Sequence, residues 1–354
     1  MVKIGIVGGH LGETTPDYPY RKWMDNIDDK YMDDGMILNE PAIVAALEHK
    51  YKDVQATFIK NFNEKSFQKN DINFLDGVNL LNAWHSGSKQ YKKWYDIMKN
   101  KKNKIYPPLK EQFFLYNKGD YLKYFESKGI PIAPTFLIKK NRNADTILKT
   151  IKQNGWKSFV VKPDYAYANI EIAKYDVNSS TSTSYYSSDN ESYSYESFYS
   201  DTNNPKTKDL LDTYLKNNKK FPGFSCQEKM KGFVHHWEVK TFWLNGEYKY
   251  NVSMKAWPPP ESFGNVDSKT LSIIKKLGKK VYDSYPETKI NGKIIKPLFL
   301  RIDFGCCQNN SLDKSKYFLN EIEYSGCGKF TDVKNIFHHW PDVYYKKAKE
   351  ITGK

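Results

Sequence analysis

The stretch that decides the fold is residues 298–304, with the sequence LFLRIDF. It has the pattern of an apolar strand that carries two charges, Arg301 and Asp303, two positions apart. Because side chains alternate between the faces of a strand, both charges lie on one face. Residues 318–323, FLNEIE, repeat this pattern with two glutamates. We therefore predict two apolar strands, each of which presents a pair of charges on one face.

If these strands are antiparallel neighbours, the carboxylates of Asp303, Glu321 and Glu323 converge. Three buried carboxylates repel one another and lose their solvation, so they need a compensating cation. A hard divalent ion with oxygen ligands is the simplest solution, and Mg²⁺ that also binds a phosphate is the usual case. The alternative is a surface hairpin with solvated charges, but the apolar flanks of both strands favour the metal site.

Two further stretches carry groups that suit a nucleotide. Residues 159–163, FVVKP, form a predicted buried strand in which the Lys162 ammonium can reach a cleft as a point charge for phosphate. Residues 226–232, CQEKMKG, form an extended segment in which Glu228 and the backbone can hydrogen-bond an adenine edge. Each pattern is weak alone, because lysine occurs throughout the chain.

The rest of the chain suggests several regions of different character. Residues 2–81 alternate strand, helix and strand, which is typical of an α/β domain with a mainly parallel sheet. The dipeptide Asn245-Gly246 between two apolar stretches predicts a β-hairpin. Residues 178–204 are almost entirely Ser, Thr, Tyr, Asn, Asp and Glu, so we predict a mobile insertion, with a strand-like ribbon as the alternative.

The composition limits the partners. The net charge is +14, and nearly all of the positive charge is lysine, because arginine occurs only at Arg21, Arg142 and Arg301. A basic surface favours acidic substrates such as ATP, whereas the lysines of residues 99–104, KNKKNK, fit a solvated loop better than a nucleic-acid site. The sequence has neither a membrane-span pattern nor a signal-peptide pattern, so we expect a cytoplasmic protein without a membrane partner.

Taken in order, these stretches resemble the ATP-grasp superfamily from about residue 106 to residue 326. The shared features follow the family's order along the chain: NKGDYL at 117–122, VVKP at 160–163, the hinge at 227–228, the hairpin around 245–246, RID at 301–303 and EIEYSG at 321–326. The pattern is similar to that of glutathione synthetase and the ribosomal-protein glutamate ligases. At Gly8-Gly9 and at 301–303 it is also similar to D-alanine–D-alanine ligase.

The resemblance implies an α/β fold in three regions. A parallel α/β domain would cover residues 1–105, a small ATP-grasp lobe with the 178–204 insertion would cover 106–225, and a large lobe with the metal site would cover 226–354.

The resemblance also implies roles for individual residues. Lys118 and Lys162 would bind the α- and β-phosphates, and Glu238 would contact the ribose or position the strand of Lys240. The implied nucleotide-binding set is Lys118, Lys162, Gln227, Glu228, Lys229, Met230, Glu238 and Lys240, with Met230 packed on the adenine.

The remaining implied roles concern catalysis and the metal. Lys255 would bind the γ-phosphate, and Arg301 would stabilise an acyl-phosphate and its tetrahedral adduct, where negative charge builds up. The ligands of Mg²⁺, or of Mn²⁺ in its place, would be Asp303, Glu321 and Glu323.

Two positions depart from the family's pattern. The glycine-rich phosphate loop should follow Pro163, but residues 164–169 are DYAYAN and contain no glycine. Backbone amides approach phosphate less freely past alanine than past glycine, and Asp164 would repel the phosphate. Glu323 stands where the family usually has asparagine, and its extra charge should tighten metal binding.

The sequence therefore favours an ATP- and Mg²⁺-dependent carboxylate–amine ligase that acts through an acyl-phosphate on small-molecule or peptide substrates. An ATP-grasp kinase of a small polyol would carry the same ATP and metal residues, and the glycine-less loop leaves a non-catalytic ATP-binding module as a third alternative. A homodimer is the oligomeric state that relatives suggest.

Overall fold

The computed structural model describes residues 1–8, 14–15, 32–33, 36–59, 64–76, 89–139, 143–165, 172–176, 179–186, 194–200, 205–230, 232, 236–255, 262–307, 317–324, 327–331 and 336–354. Gly9, residues 166–171 of the predicted phosphate loop, and Ser325 and Gly326 of the metal-binding stretch lie outside these ranges.

The N-terminal region is built around a parallel sheet. Strand β1 pairs in parallel with β5 on one side and with β6 on the other, in the order β5-β1-β6-β7. Ile4 and Ile6 of β1 pack with Ala42 and Leu47 of α1 in the main hydrophobic core. The predicted parallel α/β arrangement is thus confirmed. Its elements are β1 (Val2–Val7), β2 (Thr14–Thr15), β3 (Met32–Asp33), β4 (Met36–Leu38), α1 (Asn39–Lys50), β5 (Val54–Ile59), α2 (Glu64–Gln68), β6 (Ile72–Leu75), α3 (Lys89–Lys99), a short 3-10 helix (Lys101–Asn103) and β7 (Ile105–Tyr106).

The middle region contains an antiparallel sheet of order β12-β11-β10-β9-β13-β8. One face of this sheet is apolar: Phe159 and Cys226 pack there with Ile151 and Leu211, which come from the helices that cover it. The elements are α4 (Leu109–Tyr116), α5 (Lys118–Ser127), β8 (Thr135–Ile138), α6 (Ala144–Gln153), β9 (Ser158–Pro163), β10 (Ala173–Asp176), β11 (Ser179–Tyr186), β12 (Ser194–Ser200), α7 (Pro205–Asn217) and β13 (Phe224–Glu228).

The 178–204 insertion contains regular structure. Strands β11 and β12 pair with each other as an antiparallel ribbon, and Ser184 of β11 pairs with Ala173 of β10. The described residues thus form the strand-like ribbon that the sequence left as the alternative, and the mobility of the insertion stays a prediction. Tyrosine, threonine and phenylalanine favour strands, which accounts for a ribbon in so polar a segment.

The C-terminal region contains a second antiparallel sheet, of order β16-β15-β14-β19-β20. Asn245 and Gly246 have φ angles of 48° and 87°, the left-handed values that a tight hairpin turn requires, so the predicted hairpin is confirmed. Strands β19 and β20 are antiparallel neighbours, as predicted. The elements are β14 (Glu238–Leu244), β15 (Glu247–Lys255), β16 (Ser262–Gly264), α8 (Ser268–Asp283), β17 (Thr288–Ile290), β18 (Lys293–Ile295), β19 (Phe299–Cys306), β20 (Tyr317–Glu323) and α9 (His339–Thr352).

The C-terminal helix α9 packs back on the N-terminal region. The rings of Tyr51 and Tyr345 stack with their centroids 3.7 Å apart, and the Lys349 ammonium lies 2.9 Å from the Asp53 carboxylate. Tyr344 also packs edge-on against Phe74 of β6. The end of the chain therefore shares its core with the first sheet. In the described part of the chain, no helix has the length and apolarity that a membrane crossing needs.

Candidate nucleotide and metal site

The site is centred on β19, whose residues are all buried because β14 and β20 flank it on both edges. In the register of the sheet, Asp303 lies between Lys240 of β14 and Glu321 of β20, and Arg301 lies opposite Glu323. Directly paired residues of neighbouring strands face the same side of a sheet. The strand register therefore gathers these charges on one face, as the sequence predicted for the carboxylates.

Asp303 is fully buried and is held by two cations. Arg301 donates two hydrogen bonds to it, from Nε to Oδ1 at 2.9 Å and from Nη2 to Oδ2 at 2.8 Å. The Lys240 ammonium also donates to Oδ2 at 2.8 Å. Arg301 Nη2 lies 2.6 Å from Glu323 Oε2 as well, so one guanidinium joins both strands.

Glu238 extends this network at the edge of the site. Its Oε2 accepts a hydrogen bond from the Lys240 ammonium at 2.9 Å, and its Oε1 accepts one from the Asn320 amide, also at 2.9 Å. Of the two roles that the sequence suggested for Glu238, these contacts support the one in which it positions Lys240.

Lys118 reaches the site from the first turn of α5. Asn117 caps this helix, because its side chain accepts a hydrogen bond from the Asp120 amide at 3.2 Å. The Lys118 ammonium forms an ion pair with Glu321 of β20. The same helix also contacts β20 through Tyr121, whose hydroxyl accepts a hydrogen bond from the Ile322 backbone amide at 3.3 Å. Burial alone would lower the pKa of Lys118, but the neighbouring glutamates raise it.

The two glutamates of β20 differ in their charge balance. Burial disfavours both charges, but Lys118 and Arg301 lower the pKa of Glu321. The pKa of Glu323 is raised, by burial and by repulsion from Glu321 and Asp303, although Arg301 opposes the rise. The two side chains are 19% and 29% exposed, so both reach solvent, whereas Asp303 does not. A divalent cation would relieve the repulsion between these carboxylates.

The predicted convergence of three carboxylates is not seen in this arrangement. Among the described residues, no three His, Cys, Asp or Glu side chains come together as a metal-ligand set. The reason is that Asp303 is paired with Arg301 and Lys240, which leaves the two glutamates as the more exposed carboxylates of this group.

A second group of polar side chains lies on the middle sheet. Lys162 of β9 pairs with Ser225, and Gln227 of β13 pairs with Val160 and Thr135 on its two sides. The side-chain amide of Gln227 donates a hydrogen bond from Nε2 to the Thr135 hydroxyl at 3.0 Å. These residues share the face opposite the apolar core, so the sheet presents a polar surface there. Burial and repulsion from Lys118 lower the pKa of Lys162 to about 8, which brings the two predicted phosphate lysines into one electrostatic environment.

Sequence reasoning missed one cation of this polar face, Lys174 of β10. It pairs directly with Val160, two residues from Lys162, and therefore shares its side of the sheet. Burial and the charge of Lys229 lower the pKa of Lys174 to about 8. The strand period of residues 172–176, IAKYD, was the signal that could have identified it.

The predicted hinge residues have several different environments. Glu228 pairs with Phe159, on the apolar side of the sheet, and its amide donates to the Pro134 carbonyl at 2.9 Å. The Lys229 amide donates to the Ser158 carbonyl at 3.0 Å. Met230 is buried in a small cluster with Ala133, Cys307 and Phe318, where the middle and C-terminal regions meet. The structure thus places Gln227 with the lysines but the Glu228 carboxylate on the other face.

Lys255 is not brought together with the other predicted site residues. It follows Met254, which pairs with Glu238 on the site face, so Lys255 lies on the opposite face. There its ammonium lies 4.9 Å from the ring centroid of Trp237. The cause is a β-bulge: Phe242 pairs with Tyr250 but Trp243 pairs with Tyr248, and this one-residue shift reverses the face of every later position.

Asp164 is buried directly after β9. Asp164 is only 2% exposed, and its carboxylate oxygens lie close to the backbone of two glycines. A Cβ atom added at Gly119 would lie 3.1 Å from Oδ1, and one at Gly223 would lie 2.4 Å from Oδ2. The carboxylate is therefore packed against the first turn of α5, next to Lys118, and its repulsion of a phosphate stays a prediction.

These sheets and their connections define the fold class. A comparison with protein-family models gives no match, and a comparison with curated protein sequences gives none either. Solved structures do match over essentially the whole chain, and several of them are named as ATP-grasp ligases. The protein has the ATP-grasp fold.

Three solved structures illustrate the likeness. One is D-cycloserine synthetase DcsG, with a TM-score of 0.65 and 9% identity over 98% of this chain and 100% of that chain. Another is D-alanine–D-alanine ligase from Bacillus anthracis, with a TM-score of 0.55 and 11% identity over 100% and 99% of the two chains. A third is the RiPP-associated ATP-grasp ligase from Chryseobacterium gregarium, with a TM-score of 0.54 and 10% identity over 100% and 97%.

Proposed function

We propose that this protein is an ATP- and Mg²⁺-dependent carboxylate–amine ligase that acts through an acyl-phosphate. The observation that carries the proposal is the ion pair between Lys118 and Glu321. It joins a predicted phosphate lysine to a predicted metal carboxylate, at the place where the middle and C-terminal regions meet. Similar structures solved with ATP, or with Mg and ADP, are named as ligases, which supports the same reading.

In this proposal the polar face of the middle sheet binds the nucleotide. Lys118 and Lys162 neutralise the phosphates, and the backbone from Gln227 to Met230 lines the adenine. Phosphate oxygens would take over part of the charge that Glu321 now supplies to Lys118, so nucleotide binding would release Glu321 toward the cleft. Lys255 has no place in this set, because it lies on the other face of its sheet.

The carboxylates of Glu321 and Glu323 would hold Mg²⁺, or Mn²⁺ in its place, with Asp303 behind them. When bound, the ion supplies positive charge at the transferred phosphoryl group. Arg301 already bridges Asp303 and Glu323, so it fixes the spacing of the two strands as well as offering positive charge to the reaction centre.

The proposed reaction has two steps. A substrate carboxylate oxygen attacks the γ-phosphorus of ATP, and the bond to the β-phosphate oxygen breaks to release ADP. The amine of the second substrate attacks the acyl carbon of the acyl-phosphate and loses a proton. The carbon–oxygen bond to phosphate breaks, so the products are an amide, ADP and free phosphate.

The test is a turnover screen that reads both products. The purified chain is incubated with ATP and Mg²⁺ against amino acids, peptides and amino sugars, with ADP and free phosphate measured in parallel. A ligase releases the two in equal amounts only when both substrates are present. ADP without free phosphate would instead identify a kinase, and absence of turnover across the panel would favour a non-catalytic ATP-binding module.

Two variants make the screen specific for the site. Glu321→Gln removes a proposed metal ligand and should abolish turnover without unfolding the chain. Glu126→Gln is the matched control, because Glu126 is an exposed glutamate of α5 whose carboxylate pairs with the neighbouring Lys123. Unchanged turnover in Glu321→Gln would contradict the assignment.

A further inference from the structure

We infer that Lys174 binds the phosphates of the nucleotide and replaces part of the function of a glycine-rich phosphate loop. The inference deepens the proposed function and rests on it, because it concerns the same nucleotide.

The first observation is the position of Lys174. It lies on β10, the strand that returns from the loop after Pro163, and it pairs with Val160 of β9. Lys162 is two residues beyond Val160 on the same strand, and Gln227 pairs with Val160 from the other side. Because directly paired and alternate residues share a face, Lys174 lies in the same polar row as Lys162 and Gln227.

The second observation is the charge environment. Lys174 is partly buried, and burial together with the charge of Lys229 lowers its pKa to about 8. Lys162 has the same lowered pKa of about 8, because of its burial first and then because of the charges of Lys118 and Lys174. A partly buried row of cations that repel one another is stabilised by an anion that reaches several of them. A triphosphate is such an anion, and its negative charge is spread over the length of the row.

The third observation is the loop itself. From Asp164 to Ala173 the chain has no glycine, so its amides approach phosphate less freely than those of a glycine-rich loop. Asp164, the first residue of this stretch, is packed against Gly119 and Gly223 and brings a negative charge rather than a phosphate-binding group. A lysine on the returning strand offers charge where the loop lacks flexible amides.

The experiment compares nucleotide binding by the intact chain and three variants. Lys174→Met removes the charge and keeps the aliphatic stem, Lys174→Arg keeps the charge, and Lys157→Met is the matched control at an exposed lysine just before β9. Calorimetry gives the affinities for ATP, ADP, AMP and adenosine at fixed Mg²⁺ and ionic strength, and a melting curve confirms that each variant is folded. Lys174→Gln replaces Lys174→Met if the latter does not fold.

We expect Lys174→Met to weaken the binding of ATP on the order of tenfold or more, as loss of a charge-assisted contact does. Adenosine should bind as before, Lys174→Arg should stay within a few-fold of wild type, and the control should be unchanged. Wild-type ATP affinity in Lys174→Met, or an equal loss for adenosine, would overturn the inference and leave the proposed function standing. A wild-type chain that binds no ATP would overturn both.

Discussion

At the scale of single residues, Asp303 shows how the site tolerates buried charge. A carboxylate without solvent exposure is costly, and here two cations satisfy it at 2.8–2.9 Å. Removing one partner of such a group is expected to cost roughly 3–5 kcal/mol, because the remaining charge stays buried. Arg301 and Lys240 therefore support the strand pair whatever role they have in the reaction.

This double role of Arg301 can be separated by substitution. A lysine keeps the charge but cannot contact Asp303 and Glu323 with a planar fork. If Arg301 also stabilises the transition state, Arg301→Lys should raise the activation free energy by about 3 kcal/mol, which lowers kcat roughly a hundredfold. The ATP affinity should change little. Measurements of kcat, ATP affinity and melting temperature on one preparation decide the matter. A lowered melting temperature with normal kcat would assign Arg301 to structure alone.

The lowered pKa values of Lys162 and Lys174 predict a pH dependence of ATP binding. Both lysines have a pKa of about 8 in the free protein, so they lose their charge as the pH rises through 8. A bound phosphate favours the charged form, so binding takes up protons and weakens above this pH. We expect the Kd for ATP to rise about tenfold per lysine for each pH unit above 8. A Kd that is constant from pH 7 to pH 9.5 would contradict this.

At the scale of elements, two β-bulges control what the site contains. Between Asp303 and Phe304 the register of β19 and β20 shifts, so that Asn320 is the extra residue beside Glu321. The bulge in the β14–β15 hairpin turns Lys255 away from the site. A regular two-residue hairpin would have placed Lys255 on the face of Lys240. The sequence could predict the hairpin from Asn245-Gly246, but not the extra residue, because tertiary packing decides where a bulge forms.

Other elements could be predicted with more success. The alternation in residues 298–304 and 318–323 predicted both strands and the face of their charges, because a two-residue period is local information. Lys174 was missed because its strand is short and follows a loop of unfamiliar composition. The burial of Asp164 could not be predicted, because its close packing against Gly119 and Gly223 is a long-range contact.

The β11–β12 ribbon supplies a prediction at this scale. Residues 178–204 are almost entirely polar or tyrosine, so they have little aliphatic surface to add to the core that residues 138–175 and 211–226 form. Replacing 178–204 with a short Gly/Ser linker should therefore keep the chain folded and able to bind ATP, since loop length alone costs little free energy. The melting temperature and the ATP affinity of the shortened chain are the readouts. A collapse of the melting temperature would show that the ribbon is part of the packed structure.

At the scale of the whole molecule, contacts between distant parts of the chain join the regions. Lys329, which follows β20, lies 2.9 Å from the buried Asp76 at the end of β6, and α9 packs on the first sheet. The predicted large lobe, residues 226–354, includes α9, and this division of the chain stays a prediction. No local pattern in the sequence indicates that the final helix returns to the first sheet, because that contact depends on the global packing.

A buried glutamate at this junction predicts how stability depends on pH. Glu111 of α4 accepts hydrogen bonds from Tyr285 at 3.1 Å and Thr288 at 2.8 Å, but burial still raises its pKa to about 7, despite the charge of Lys347. Between the unfolded pKa of about 4.5 and this value, the folded state keeps a proton that the unfolded state loses. Stability therefore falls as the pH rises through this window, by up to about 3 kcal/mol.

Glu111→Gln should remove this pH-dependent loss of stability, because glutamine does not titrate. Urea unfolding from pH 5 to pH 8 should show a smaller decline in the free energy of unfolding for Glu111→Gln than for the wild type. Glu126→Gln, an exposed change on α5, is the control and should follow the wild type. Parallel curves for Glu111→Gln and the wild type would mean that Glu111 does not titrate in this range.

The central claim is that β19, β20 and the polar face of the middle sheet form one Mg²⁺–ATP site. The most direct measurement is a crystal structure with a non-hydrolysable ATP analogue and Mn²⁺, read from the anomalous signal of the metal. We predict a metal peak at about 2.0–2.3 Å from carboxylate oxygens of Glu321 and Glu323, with the triphosphate against Lys118 and Lys162. A nucleotide bound elsewhere, or a metal peak away from both glutamates, would contradict the account.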